Sequence, residues 1–202
     1  MTSAMPVKRS KLPPIPTQAL LAKIFHWINL ISLFVMLLSG LQIYNANPVF
    51  GGREGWHFPS FLTLGGWLGG GRSWHFAAMW FYALNLLWYG LYVLISRRWQ
   101  KRFANGSDIK ALRVSQNAKR KNYALHRFVY TAIIPILVLS IASGLAMYKP
   151  AQFYWLSSLF LNWQTLRTIH FIAVPTVILF TFIHSLLALR VGSIRLIKSM
   201  FV

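Results

Sequence analysis

The segment Thr168–Arg190, TIHFIAVPTVILFTFIHSLLALR, limits the fold more than any other part of the chain. It is long and apolar enough to cross a bilayer, whose hydrocarbon core asks for about 20 apolar residues in a helix. Two histidines, His170 and His184, interrupt it. Their spacing of 14 residues returns a helix to within about 40° of the same face and advances it ~21 Å. Both imidazoles therefore share one side, near opposite edges of a ~30 Å hydrocarbon layer. An ionisable side chain inside a span marks a functional site by default, and imidazole is a common metal ligand. Two stacked ligand positions suit a pair of haems, provided that neighbouring spans supply the opposing ligands.

Four apolar runs reach spanning length, roughly residues 21–43, 75–96, 126–147 and 169–189. They leave no length for a separate soluble domain in a chain that is 56% hydrophobic. The expected fold is all-α and integral to the membrane: one four-transmembrane-helix bundle, a single domain over residues 1–202. The net charge of +19 suggests nucleic acid until its distribution is considered. Of 21 basic residues, 17 lie within residues 1–23, within 97–127 or after the last run, leaving Arg53, Arg72, Lys149 and Arg167 for the other side. That bias is the positive-inside pattern, so both termini are expected in the cytoplasm and nucleic acid is not an expected partner. Residues Arg97–Lys121 then read as an inner loop on anionic headgroups. Residues 1–17, with Pro6, Pro13, Pro14 and Pro16, read as a flexible cytoplasmic lead, and the first run does not read as a cleaved signal peptide. There is no cysteine, so cysteine-ligated iron–sulfur clusters, disulfides and thioether-attached haem are excluded, and haem would be held by side chains without covalent attachment.

The first span opens near His26, and Gly40 follows 14 residues later on nearly the same face. Such a glycine serves either close helix packing or the approach of a flat ring. The Gly-rich connection Asn45–Trp74 lacks the Gly-Lys-Ser/Thr of a phosphate loop, and its tryptophans suit the membrane interface. His57 in it reads as a solvated loop residue. His75 opens the second span, and Pro135 is expected to kink the third. Ser143-Gly144-Leu145-Ala146-Met147-Tyr148 echoes Ser39-Gly40-Leu41-Gln42-Ile43-Tyr44, both SGLxxY at the outer end of a span. The echo reflects chance, shared packing, or two glycines, Gly40 and Gly144, clearing space for one outer cofactor. Residues Tyr148–Leu166 read as an amphipathic outer connection.

Alternating topology sorts the membrane histidines by depth. His26 and His184 share the inner leaflet; His75 and His170 share the outer one. A buried imidazole pair without cysteine or acid suits six-coordinate iron whose equatorial donors come from porphyrin. The four metal ligands expected are thus His26, His75, His170 and His184, holding two non-covalent b haems. Arg72, Lys149 and Arg167 are candidate partners for haem propionates, or interfacial anchors. Glu54 and Asp108, the two acids, fall outside the spans, which disfavours a carboxylate proton relay and favours electron transfer.

The segments HWINLISLFVMLLSGLQIYN, GGRSWHF, SGLAMY and IHFIAVPTVILFTFIHSLLALR resemble the bacterial dihaem membrane cytochromes b. This cytochrome b561-like group includes the cytochrome subunits of hydrogenase, formate dehydrogenase and thiosulfate reductase. LSGLQIYNANPVFGG and GGRSWHF are most similar to the thiosulfate-reductase-type branch. The resemblance implies an inner-membrane, multi-pass protein passing electrons between quinone and a periplasmic oxidoreductase subunit, a molybdopterin enzyme among the expected types. It also implies a quinone site by the inner haem at the start of the third span, here Asn122 to His126. Asn122 and His126 are candidate quinone contacts, with a plain interfacial role for His126 the alternative. Two other functions compete: a stand-alone superoxide:quinone oxidoreductase, and a haem-free membrane assembly protein. A homodimer is compatible with the sequence.

Overall fold

The structure, a computed structural model, describes residues 19–201; the Pro-rich lead falls outside the described residues. Helix α1 (Leu20–Ala46) is followed by the Gly-rich connection, which carries two short 3-10 turns, and by α2 (Leu68–Ile95). The basic segment holds α3 (Trp99–Arg102) and α4 (Gly106–Val114) and leads into α5 (Ala118–Tyr148). A second connection with the single turn α6 (Tyr154–Ser157) precedes α7 (Trp163–Lys198). Four helices, α1, α2, α5 and residues 163–190 of α7, are long and apolar enough to cross a membrane. No strand occurs among the described residues. Large apolar side chains such as Phe34, Phe81, Trp88, Val138 and Phe182 are exposed, as expected where lipid is the solvent.

Three spans begin earlier than hydropathy places them, at Leu68, Ala118 and Trp163. The added turns, LGGGRSW, AKRKNYAL and WQTLRT, are rich in glycine and polar residues and carry no hydropathy signal. A helix is still favoured there because it satisfies its own backbone groups as the chain enters the membrane. Asn117 accepts hydrogen bonds from the Lys119 and Arg120 amides, and Asn162 from the Thr165 amide, so side-chain caps fix two of the starts. The extension moves His75 and His170 from the span mouth to about two turns (~10 Å) inside their helices. α5 continues as helix across Pro135, and α7 across Pro175.

The bundle is two antiparallel hairpins, α1 with α2 and α5 with α7, each closely packed within itself. Between hairpins the approach is made by side chains. At the end bearing the Gly-rich loop, Tyr44 stacks on Phe171 at 4.7 Å and Phe76 meets Tyr148 edge-on at 4.6 Å. At the opposite end the Tyr89 and Tyr130 hydroxyls are 2.6 Å apart, and Trp27 Nε1 donates to the Met200 carbonyl at 3.1 Å. Aromatic residues here act as spacers as well as contacts.

The segment expected as an inner loop on anionic headgroups is folded and caps α5. Asn105 and Asp108 form a capping box at the start of α4. Asp108 is fully buried, with Arg127 at 2.9 Å and Arg120 at 3.1 Å. Arg127 also donates to the carbonyls of Gln100 and Phe103. Burial of so basic a segment's lone acid follows from charge: Arg127, itself buried, needs a counter-ion to leave water, and half-exposed Arg120 adds a second cation. The connection after α5 is likewise anchored, with Leu156, Phe160 and Leu166 packed on Ala146.

Candidate functional site

His75 of α2 and His170 of α7 face each other at the Gly-loop end, their ring centroids 6.4 Å apart and their planes at 76°. Each is held by the hairpin partner of its own helix. Nδ1 of His75 lies 3.0 Å from the Met36 carbonyl and 3.3 Å from Ser39 Oγ, both on α1. Nδ1 of His170 lies 2.9 Å from Ser143 Oγ on α5. The glycine after each serine sits against the same ring. A Cβ on Gly40 would meet His75 Cε1 at 3.3 Å, and one on Gly144 would meet His170 Cε1 at 3.2 Å. The SGLxxY echo therefore has a structural meaning: serine holds the imidazole edge, and glycine gives the ring room. The space beside these glycines is occupied by the imidazoles themselves.

The opposite end is built differently. His184 of α7 packs against His126 of α5 with centroids 5.4 Å apart, and against Phe180 at 5.5 Å and Tyr130 at 6.4 Å. Nδ1 of His184 and Nε2 of His126 are buried without a hydrogen-bond partner among the described residues. His26, on α1, is exposed and meets the ring of Trp27 at 6.1 Å. The ring that the fold brings closest to His184 is thus His126. Asn122 lies one turn before His126 and is half-buried.

The cations expected near haem propionates divide. Arg167 is engaged, donating to the Asn47 carbonyl at 2.5 Å and to Gln164 Oε1 at 3.3 Å, so it ties α7 to the end of α1. Arg72 and Lys149 are exposed over the rings of Phe76 and Tyr148, at 5.6 and 5.7 Å. His57 stands exposed in the Gly-rich connection.

Sequence reasoning missed Ser39 and Ser143, although the echoed SGLxxY was the signal that contained them. It also missed Tyr89 with Tyr130, and Asn85, which donates from α2 to the Phe25 carbonyl at 2.8 Å and to Asn29 Oδ1 at 2.7 Å. Nothing in a single sequence says which polar side chain of one span turns toward which neighbour.

The donor set fits haem iron. His75 and His170 face each other with centroids 6.4 Å apart and would be the pair to hold an iron between them. No cluster of three or more metal-ligating residues occurs among the described residues. Two axial imidazoles with equatorial donors from a macrocycle need no third protein ligand. At the other end the orphaned nitrogen of His184 is a buried polar atom of the kind a bound group satisfies.

Comparison with known proteins agrees with this chemistry. The family described as prokaryotic cytochrome b561 matches residues 17–202. A protein of Azospira oryzae with the provisional name protein-methionine-sulfoxide reductase subunit YedZ1 is 33% identical over 171 residues, covering 80% of this chain and 84% of that protein. No solved structure matches. With spanning helices, facing imidazoles and a family match over nearly its whole length, the chain belongs to the prokaryotic cytochrome b561 family of membrane electron-transfer proteins, a family that implies b-type haem.

Proposed function

We propose that this protein is a dihaem b-type cytochrome carrying electrons across the cytoplasmic membrane between a periplasmic oxidoreductase subunit and quinone. The observation that carries the reading is the opposition of His75 and His170 at 6.4 Å, each ring held through Nδ1. These two residues would hold the outer haem; His184, with His26, would hold the inner one. Haem, when bound, would supply a one-electron carrier, which suits electron transfer without substrate chemistry at the iron. Gly40 and Gly144 give the outer imidazoles room to lie against α1 and α5. Exposed Arg72 and Lys149 offer positive charge to propionates or to a docking partner.

At the basic-loop end, His126 and Asn122 stand where α5 enters the bundle, and Arg102 reaches Tyr130 beside them. We assign His126 to quinone binding and to proton transfer at Nε2, the buried nitrogen that lacks a protein partner. The clustering of basic residues around this end supports a cytoplasmic placement. The name of the Azospira oryzae relative, a reductase subunit, supports a partner that performs the substrate chemistry. A molybdopterin enzyme is the type that the sequence resemblance favours.

The test is a reduced-minus-oxidised spectrum of the full chain in membranes, followed by addition of a short-chain quinol. The reading expects a b-type spectrum, reduction by quinol and co-purification of a periplasmic oxidoreductase. A colourless protein from haem-sufficient cells would overturn it in favour of an assembly role. Turnover of superoxide by the purified chain alone would move the function to a self-sufficient enzyme.

A further inference from the structure

We propose that Ser39 and Ser143 are a matched pair of positioning residues, fixing the proton of His75 and His170 on Nδ1 and so presenting Nε2 of each to iron. The proposal rests on the haem reading above and adds what selects and tunes the ligands.

The shorter serine-to-carbonyl contacts favour one direction for each bond. Ser143 Oγ donates its one proton to the Leu139 carbonyl at 2.7 Å, so toward His170 Nδ1, 2.9 Å away, it acts as acceptor. Ser39 Oγ donates to the Val35 carbonyl at 2.6 Å and must likewise accept from His75. The Met36 carbonyl, 3.0 Å from the same Nδ1, has no proton to give, which requires the same tautomer. Both serines are fully buried, so water does not compete. Helix back-bonding of serine to the i−4 carbonyl usually has only a local effect. Here it appears twice, each time four residues after the acceptor and one before a glycine that backs the same ring.

A hydrogen bond from Nδ1–H to an acceptor raises the donor strength of the other ring nitrogen and fixes the ring's orientation. A stronger donor favours ferric iron, so losing the acceptor should raise the outer midpoint potential. Each imidazole also has a backbone carbonyl three residues before its serine, Met36 for His75 and Ser140 for His170, so the two sides differ in the serine distance: Ser143 Oγ is the nearer, at 2.9 Å against 3.3 Å for Ser39.

The experiment is an optical redox titration of the full-length protein carrying Ser143→Ala, Ser39→Ala or Ser143→Thr. Thr176→Ala serves as control, since Thr176 makes the same i−4 bond on an exposed face of α7. The outer wave is identified as the one missing from His170→Ala. Ser143→Ala should shift its reduction equilibrium about threefold to tenfold toward the reduced form, tenfold being ~59 mV for one electron. Ser39→Ala should shift it less, Ser143→Thr should restore it, and the control should leave it in place. Loss of the outer haem in Ser143→Ala, with retention in Ser143→Thr, supports the proposal equally. A two-haem Ser143→Ala protein with the wild-type potential overturns the serine role alone. A haem-free wild type overturns the haem reading and this pair with it.

Discussion

The two ends of the bundle solve one problem to different degrees of completion. At the Gly-loop end, each histidine has a serine, a glycine and a facing imidazole, repeated by the two hairpins with nearly equal distances. At the basic-loop end, His184 has two aromatic neighbours and a second histidine but no partner for Nδ1, and His26 is exposed. A site held from all sides has its ligand geometry fixed before the cofactor arrives. A site with unsatisfied buried nitrogens depends on what binds there to complete it. The contrast suits the proposed carrier, in which the outer haem would meet a protein partner and the inner end would admit and release quinone.

The largest effect that sharpens this contrast is expected from Gly144→Val. Its Cβ would stand 3.2 Å from His170 Cε1 before the two methyls are added, and a close-packed interior has little room to yield. The outer haem should be lost while the inner haem stays, read as halved haem content with a surviving b-type spectrum. Loss of both haems would mean that the two ends are not independent.

Asp108→Ala addresses the other end. It leaves Arg127 buried without its carboxylate, and breaking one side of a buried ion pair costs about 3–5 kcal/mol. The expected result is a lower thermal midpoint in detergent, with the outer haem potential unmoved. A change at the outer haem would contradict the separation of the ends.

His126→Gln should have the narrowest effect. With Nε2 gone as a proton carrier, reduction by quinol should slow about a hundredfold, the scale of a positioned acid–base group. Both haems should remain reducible by dithionite. Unchanged quinol kinetics would return His126 to an interfacial or packing role.

Much of this was legible in the sequence, and the gaps have physical causes. The 14-residue spacing of His170 and His184 places both on one face whatever surrounds them, and alternating topology levels His75 with His170. Both follow from helix geometry and membrane thickness. The helix starts were not legible, because glycines and lysines before the apolar runs lower hydropathy without breaking a helix. Nor was the contact of His126 with His184. Periodicity gives the direction of a residue around its own axis, but the rotation of a neighbouring helix is set by packing along its whole length. The serines illustrate the same limit: the echo SGLxxY was visible, whereas its meaning needed a second helix to supply the imidazole. Asp108 was placed outside the spans by sequence and lies there, but its burial depended on two arginines 12 and 19 residues away.

The most direct test of the account is the number of b haems per chain, measured by extraction and protein quantification on the wild type, His170→Ala and His184→Ala. The account predicts two for the wild type and one for each variant, with different potentials remaining in the two. Two haems retained by either variant, or a single haem in the wild type lost by both, would contradict it.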